Sequence, residues 1–344
     1  QPFAARYASA PYNGELAYLD QCVGQLLDAI EASGQASKTL IWVVSDHGES
    51  LGEHGEASHS LFVYDATLRV ASLLRLPPAD GHYRVGAPRL ELRAQTGLID
   101  VAPTLLALTG LGSLGDRLDG QSLVPLLRGQ RQDAPPLYCE TLSPRVSYHW
   151  APLRGVRTAK WKYIRAPEPE LYDLAADPKE TKNLASSNGA ELSRLAAELD
   201  RQLADEVSGD DAKRAPSAEE LERLRSLGYL SGASGPEDES KLPDPKRMVA
   251  FFNGQYQSAK NLLYAGRYAE AASAFQEALK VDPLNNSTYL FLAAALRQSN
   301  QLEAAGRAYR GALRLEPTSA RAWYGWGQAL LEAEKADSAA WALH

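Results

Sequence analysis

Cysteine and methionine are both scarce in these 344 residues, with two of the first and one of the second. Cys22 and Cys139 allow at most one disulfide and cannot close a thiolate zinc cage, which excludes a disulfide scaffold and a thiolate metal site. Cys22 reads as a small buried hydrophobe, since no basic neighbour would activate it. Basic charge is in deficit: 36 Lys and Arg face 43 Asp and Glu, a net charge of −7. That balance leaves no footprint for a nucleic-acid backbone. No apolar run reaches the roughly 18 residues of a membrane span, and Gln1-Pro2-Phe3-Ala4 has no signal-peptide pattern. The lone methionine is Met248 and residue 1 is Gln, so a processed chain or a piece of a longer one is expected.

What is present is ordinary globular composition, 44% hydrophobic and 23% charged, in a chain whose length predicts about two domains. Leu16, Leu19, Val23, Leu26, Leu27 and Ile30 recur at helical spacing, and Gly34 supplies a stop. Thr39–Val44 is a continuous apolar strand of the kind covered on both faces, and Val70–Leu76 is a second. A helix is expected over Leu98–Thr109, with Pro103 in its first turn and Gly110 at its end. Alternating strands and helices predict an α/β region with a mainly parallel sheet. From Arg154 to Ile164 short β-prone pieces, followed by Glu170–Leu174 and the turn-rich Asp177–Glu180, suggest a small antiparallel extension, and leucines 192, 195 and 199 mark a following helix, with another over Glu219–Leu227. The segment 230–247, rich in Pro, Ser, Gly and charge, reads as a linker.

Beyond the linker the chain repeats itself. Ala259, Gly266, Ala271, Phe275, Ala278 and Pro283 are followed 34 residues later by Ala293, Asn300, Ala305, Tyr309, Ala312 and Pro317. A third copy begins with Trp323, Gly327, Leu330 and Ala339 and stops at His344, so further repeats are expected. The period and the small residues at close helix contacts resemble tetratricopeptide repeats. The expected boundaries are 1–185 for the α/β region, 186–229 for a helical extension, 230–247 for the linker and 248–344 for the repeats.

The chemistry concentrates in Ser45-Asp46-His47-Gly48-Glu49, just after the first strand, where open α/β sheets bind ligands. Asp46 and His47 can face one ion only if the chain has left the strand, and Gly48 eases that turn. A carboxylate oxygen with an imidazole nitrogen suits zinc or manganese, and calcium less well. The pattern continues through Leu51-Gly52-Glu53-His54-Gly55, His59 and Leu68-Arg69-Val70. Then follow Asp100–Leu106, Leu118-Asp119-Gly120-Gln121-Ser122-Leu123, Lys162-Tyr163-Ile164, Glu170–Leu174 and Asp177–Leu184. This ordered series, over roughly residues 12–185, resembles the C-terminal half of the sulfatase family, within the alkaline phosphatase superfamily.

The resemblance implies an alkaline-phosphatase-like α/β core, a divalent metal ion (calcium, zinc or manganese) and hydrolysis of sulfate esters. Asp46 and His47 inherit the role of metal ligands. His59 falls where the family contacts the anionic group, or protonates the leaving group, and His54 is a possible site-lining residue. Glu49 and Glu53 read as solvated or loop-fixing carboxylates, and Asp100 and Pro103-Thr104 as structural. Glu140, His149 and Arg154 have only their residue types in favour of a site role. No Cys/Ser-x-Pro-x-Arg nucleophile motif is present; the nearest strings, at 150–154 and 243–247, carry Trp and Pro in the nucleophile position. The nucleophile, with any formylglycine made from it, is therefore expected in an N-terminal half outside this chain. Ala71 and Ser60 depart from the family's usual Pro and Gly. A phosphodiesterase, phosphonate hydrolase or phosphoethanolamine-type transferase of the same superfamily is the alternative reading, and a non-catalytic interaction protein is a second. The expected partners are a sulfate- or phosphate-ester substrate and a protein or peptide ligand for the repeats. The family's frequent export in bacteria favours a periplasmic or exported location.

Overall fold

The computed structural model describes residues 3–78, 89–112, 118–130, 134–208 and 238–334. The chain divides into two compact units: Gln1–His47 with Arg69–Gln132, and Gly48–Leu68 with Asp133–His344. The helix expected over Glu219–Leu227 and the later part of the third repeat lie outside the described residues.

In the first unit, helix α1 (Pro11–Ala32) starts with Pro in its first turn, where a missing N–H costs nothing. Strand β1 (Ile41–Val44) is only partly covered and pairs with β2 (Ser72–Arg75). The pairing is antiparallel, with Ile41 opposite Arg75 and Val44 opposite Ser72. The mainly parallel sheet expected from the sequence is thus not found: both sheets among the described residues are antiparallel throughout. Parallel pairing needs a crossover that returns the chain to the starting end of the sheet. Here Ser45 N donates to the Ala71 carbonyl and Ala71 N to Ser45 Oγ, so the chain leaves β1 and enters β2 at the same end.

Helix α3 (Val101–Leu108) of this unit follows a 3₁₀ turn at Leu98–Asp100 and precedes the short α4 (Val124–Leu127), while two other short helices, α2 (Asp65–Leu68) and α5 (Ser143–Tyr148), belong to the second unit. The buried Asp100 carboxylate accepts from Gly97 N and Gln121 N, both at 2.9 Å. The Leu118–Leu123 motif needs its glycine: a Cβ on Gly120 would lie 1.9 Å from the Ile99 carbonyl oxygen. These contacts agree with the structural reading of Asp100.

The second unit holds the antiparallel extension as a four-stranded sheet in sequence order. Its strands are β3 (Leu137–Thr141), β4 (Leu153–Arg157), β5 (Trp161–Arg165) and β6 (Glu170–Asp173). One face is covered by α6 (Gly189–Ser208), whose Leu195 and Leu199 are fully buried with Val156, Tyr163 and Leu171.

The repeats follow as helix pairs. A first long helix runs through α7 (Pro245–Phe251), a π-helical turn at Phe252–Tyr256 and α8 (Gln257–Tyr264), and pairs with α9 (Tyr268–Val281). Next come α10 (Asn286–Gln298), α11 (Leu302–Leu315) and α12 (Ala320–Glu332). The residues matched at 34-residue spacing are the packing residues: Ala259, Ala271, Phe275, Ala278, Ala293, Ala305 and Ala312 have no exposed surface. Gly266, Asn300 and Glu334 each adopt a left-handed conformation, one per period, and at Gly266 and Asn300 one helix turns back on the next.

Of the expected linker, residues 238–247 are described, and they are tied to the sheet. Arg154 Nη1 meets Glu239 Oε2 at 2.8 Å, and Ala151 N donates to the Pro243 carbonyl. Asp244 caps α7 through Lys246 N and accepts from Glu168 N at 3.0 Å. Proline and charge there do not make a free tether: the stretch holds a 3₁₀ turn at Glu239–Lys241 and the start of α7 at Pro245.

Candidate functional site

Asp46 and His47 emerge in the first unit directly past β1, as the spacing requires. Both are exposed, and Asp46 Oδ1 accepts from His47 N at 3.0 Å, the turn that takes the pair off the strand. A carboxylate and an imidazole side by side form a donor set compatible with a divalent ion.

The segment 48–68 lies in the second unit and is a knot of local hydrogen bonds. Ser50 is buried; its N–H donates to the Ser58 carbonyl and its hydroxyl to the Glu56 carbonyl, each at 2.8 Å. Glu53 Oε2 accepts from Leu51 N at 2.7 Å, which holds its carboxyl below the usual range and makes it loop-fixing. Glu56 is buried, and burial raises its pKa even though Leu61 N and Phe62 N donate to it. Across this knot His59 Nδ1 meets Glu49 Oε2 at 3.0 Å. A carboxylate on one ring nitrogen fixes the orientation of an imidazole.

His54 is engaged differently. Its ring stacks on Tyr64, with centroids 3.6 Å apart, and burial lowers its pKa although the Lys179 carbonyl bonds to it. Arg154 is held by Glu239 and lies near Glu140, and His149 Nδ1 meets Arg145. These three are accounted for by structural partners.

The larger electrostatic feature went unread in the sequence. Lys162, fully buried on β5, places Nζ 2.6 Å from both Asp65 Oδ1 and Glu180 Oε1. Arg157 adds a bidentate pair to Asp65 at 3.0 and 2.8 Å, and Asp65 N donates to Glu180 Oε2 at 2.6 Å. Burial alone would raise the Asp65 pKa, but Arg157 and Lys162 prevail and hold it at about 2. For Glu180 burial prevails and the pKa is raised. A second centre lies at Glu170, whose Oε2 accepts from Tyr64 at 2.8 Å, from Lys246 at 2.6 Å and from Tyr172. The only local sign of either centre was a lysine inside the β-prone Trp161-Lys162-Tyr163-Ile164 run.

Residues 52–208 match the family described as N-sulphoglucosamine sulphohydrolase, C-terminal, and residues 256–320 match the tetratricopeptide repeat. Choline-sulfatase from Rhizobium meliloti (strain 1021) is 37% identical over 186 residues, covering 53% of this chain and 34% of that protein. Steryl-sulfatase from Mus musculus is 35% identical over 164 residues, covering 43% and 25%. Among solved structures, the phosphonate monoester hydrolase of Agrobacterium radiobacter aligns with a TM-score of 0.44 at 26% identity, over 56% of this chain and 41% of that one. The chain spans about a third or less of the length of these curated relatives. Residues 52–208 thus match the C-terminal region of sulfatases, and residues 256–320 match the tetratricopeptide repeat.

Proposed function

We propose that the protein hydrolyses sulfate esters with the help of a divalent metal ion, and that its repeats bind a protein partner. The observation that carries the catalytic part is the family match over 52–208, which includes His59; Glu49, just before the matched residues, faces its ring. Asp46 and His47 would hold the ion, which when bound neutralises anionic charge and activates an oxygen nucleophile. Within the chain, Glu49 holds Nδ1 of His59 and so orients the ring, leaving its other nitrogen to face a departing alkoxide. His54, packed on Tyr64, shapes the loop and takes no proton-transfer part.

The partner reading rests on the repeats. On their first-of-pair helices, Lys260 and Arg321 approach the Phe291 ring at 5.6 and 5.4 Å. Cations and an aromatic ring on neighbouring helices are suited to an extended peptide.

The test uses protein expressed from its complete coding sequence, with metal content measured. Sulfate release from an aryl sulfate is compared with phosphate and phosphonate release from the matching esters. The expected result is preferential sulfate release, reduced at least tenfold by Asp46→Asn and by His59→Ala. Turnover of the phosphorus esters alone would move the assignment to the phosphoryl branch. No turnover of any ester by metal-loaded protein would leave the interaction role alone.

A further inference from the structure

The repeats do not merely follow the sulfatase-like sheet; they take part in its core. Tyr148 stacks near Trp150 at 4.7 Å and meets Phe252 and Tyr256 of the first repeat helix at 5.4 and 5.7 Å. Trp150 has no exposed surface, and its Nε1 donates to Asp282 in the turn after α9 at 2.7 Å. The cluster formed by Leu61, Phe62, Val63 and Tyr64 with Trp150, Leu153, Ile164 and Tyr172 has Met248, Val249, Phe251 and Phe252 packed against it. The run just after His59 is therefore buried partly by a repeat helix.

The same helix reaches the loop itself. Gly55 has φ +81, and a Cβ built on it would sit 3.3 Å from Val249 Cγ2. The Asn253 side-chain amide donates to the Gly55 carbonyl. Asn253 lies in the π-helical turn 252–256, a local widening of the helix that often marks a functional constraint. Gly55 adjoins Glu56, and Glu56 receives the amides of Leu61 and Phe62 that set the backbone after His59.

We propose that Asn253 and Val249, on the first repeat helix, are positioning residues for the loop that presents Glu49 and His59. Displacing Gly55 would shift Glu56, and with it the frame on which His59 meets Glu49. The catalytic meaning of this support rests on the sulfatase reading; the mechanical claim does not.

Hydrogen exchange and histidine side-chain ¹⁵N spectra of the full chain test it. Asn253→Ala and the isosteric, donor-lacking Asn253→Asp are each expected to speed exchange at the Leu61 and Phe62 amides by about five- to tenfold, the scale of one lost hydrogen bond. The His59 ring resonances should shift, while amides of β4 and β5 stay at wild-type rates. Val249→Ala should act in the same direction, and the exposed Gln255→Ala on the same turn should do nothing. Wild-type loop exchange in both the Asn253 and Val249 variants would overturn the proposal. Equal acceleration in the sheet would also overturn it, because the contact would then serve general stability only. If the complete protein turned over no sulfate ester, the catalytic reading would fall while the exchange result stood on its own.

Discussion

The two units treat similar hydrophobic patterns in opposite ways. In the first, the stripe of α1 stays open, with Leu19 55% and Leu26 65% exposed, and Leu73 of β2 is 68% exposed. In the second, Leu195 and Leu199 of α6 are sealed against the sheet, and even a lysine lies inside. Periodicity therefore specifies an element and its apolar face, whereas burial depends on whether another layer meets that face. A leucine contributes about 1.5–3 kcal/mol only when it is fully buried. The second unit gains that contribution at many positions, and the described part of the first at few.

The largest effect that would sharpen this contrast comes from Lys162→Met. It leaves Asp65 and Glu180 close together in the interior with less compensating charge, and should lower the unfolding free energy of the second unit by about 3–5 kcal/mol in urea titrations. A loss below about 1 kcal/mol would mean that water reaches the pair and that the two units differ less than their burial suggests. Trp150→Phe removes the donor to Asp282 and should cost about 1–3 kcal/mol. Helical ellipticity should then melt before the sheet, where the parent chain melts both together.

A third test concerns acid. The pKa of His54 is depressed in the folded state, so its contribution is complete above its unfolded value near 6.5 and is lost as pH falls through the lower folded value. His54→Asn, which tolerates the left-handed backbone at φ 52, should flatten the decline in melting temperature just below pH 6.5. Asp65, also depressed, should act in a separate window, from about pH 4 down to about 2. The smallest effect belongs to the first unit. Leu26→Ser should change stability by no more than about 0.5 kcal/mol while reducing binding of a hydrophobic dye. The same change at the fully buried Leu171 should unfold the second unit.

The repeats were the most legible part, because their signal is periodic and local: the matched alanines pack, and the αL residues 266, 300 and 334 fall one period apart. The antiparallel strands at 153–173 were also readable from short β-prone runs separated by turns. Strand direction in the first unit was not, since an apolar run looks the same whichever way its partner points. The Asp-His turn past β1 was visible as a motif, as was His59, yet the pairing of His59 with Glu49 required the fold of the intervening loop. Lys162, Asp65 and Glu180 stayed hidden because their partnership joins residues far apart in the chain. Separations of that size leave no pattern within any one element. The seam made by Trp150, Lys246 and Asn253 was obscured for a related reason, with half of it beyond a stretch whose composition suggests a tether.

That seam also gives the solenoid a polarity. An array of helical repeats commonly frays from either end, each outermost unit having a neighbour on one side only, and natural arrays blunt this with a solubilising cap. Here the sheet does the work of a cap for the first repeat, through Trp150 on Asp282 and Lys246 on Glu170. Unzipping should consequently not begin at α7, and a force applied along the array would meet stronger resistance at that end than between the repeats that follow.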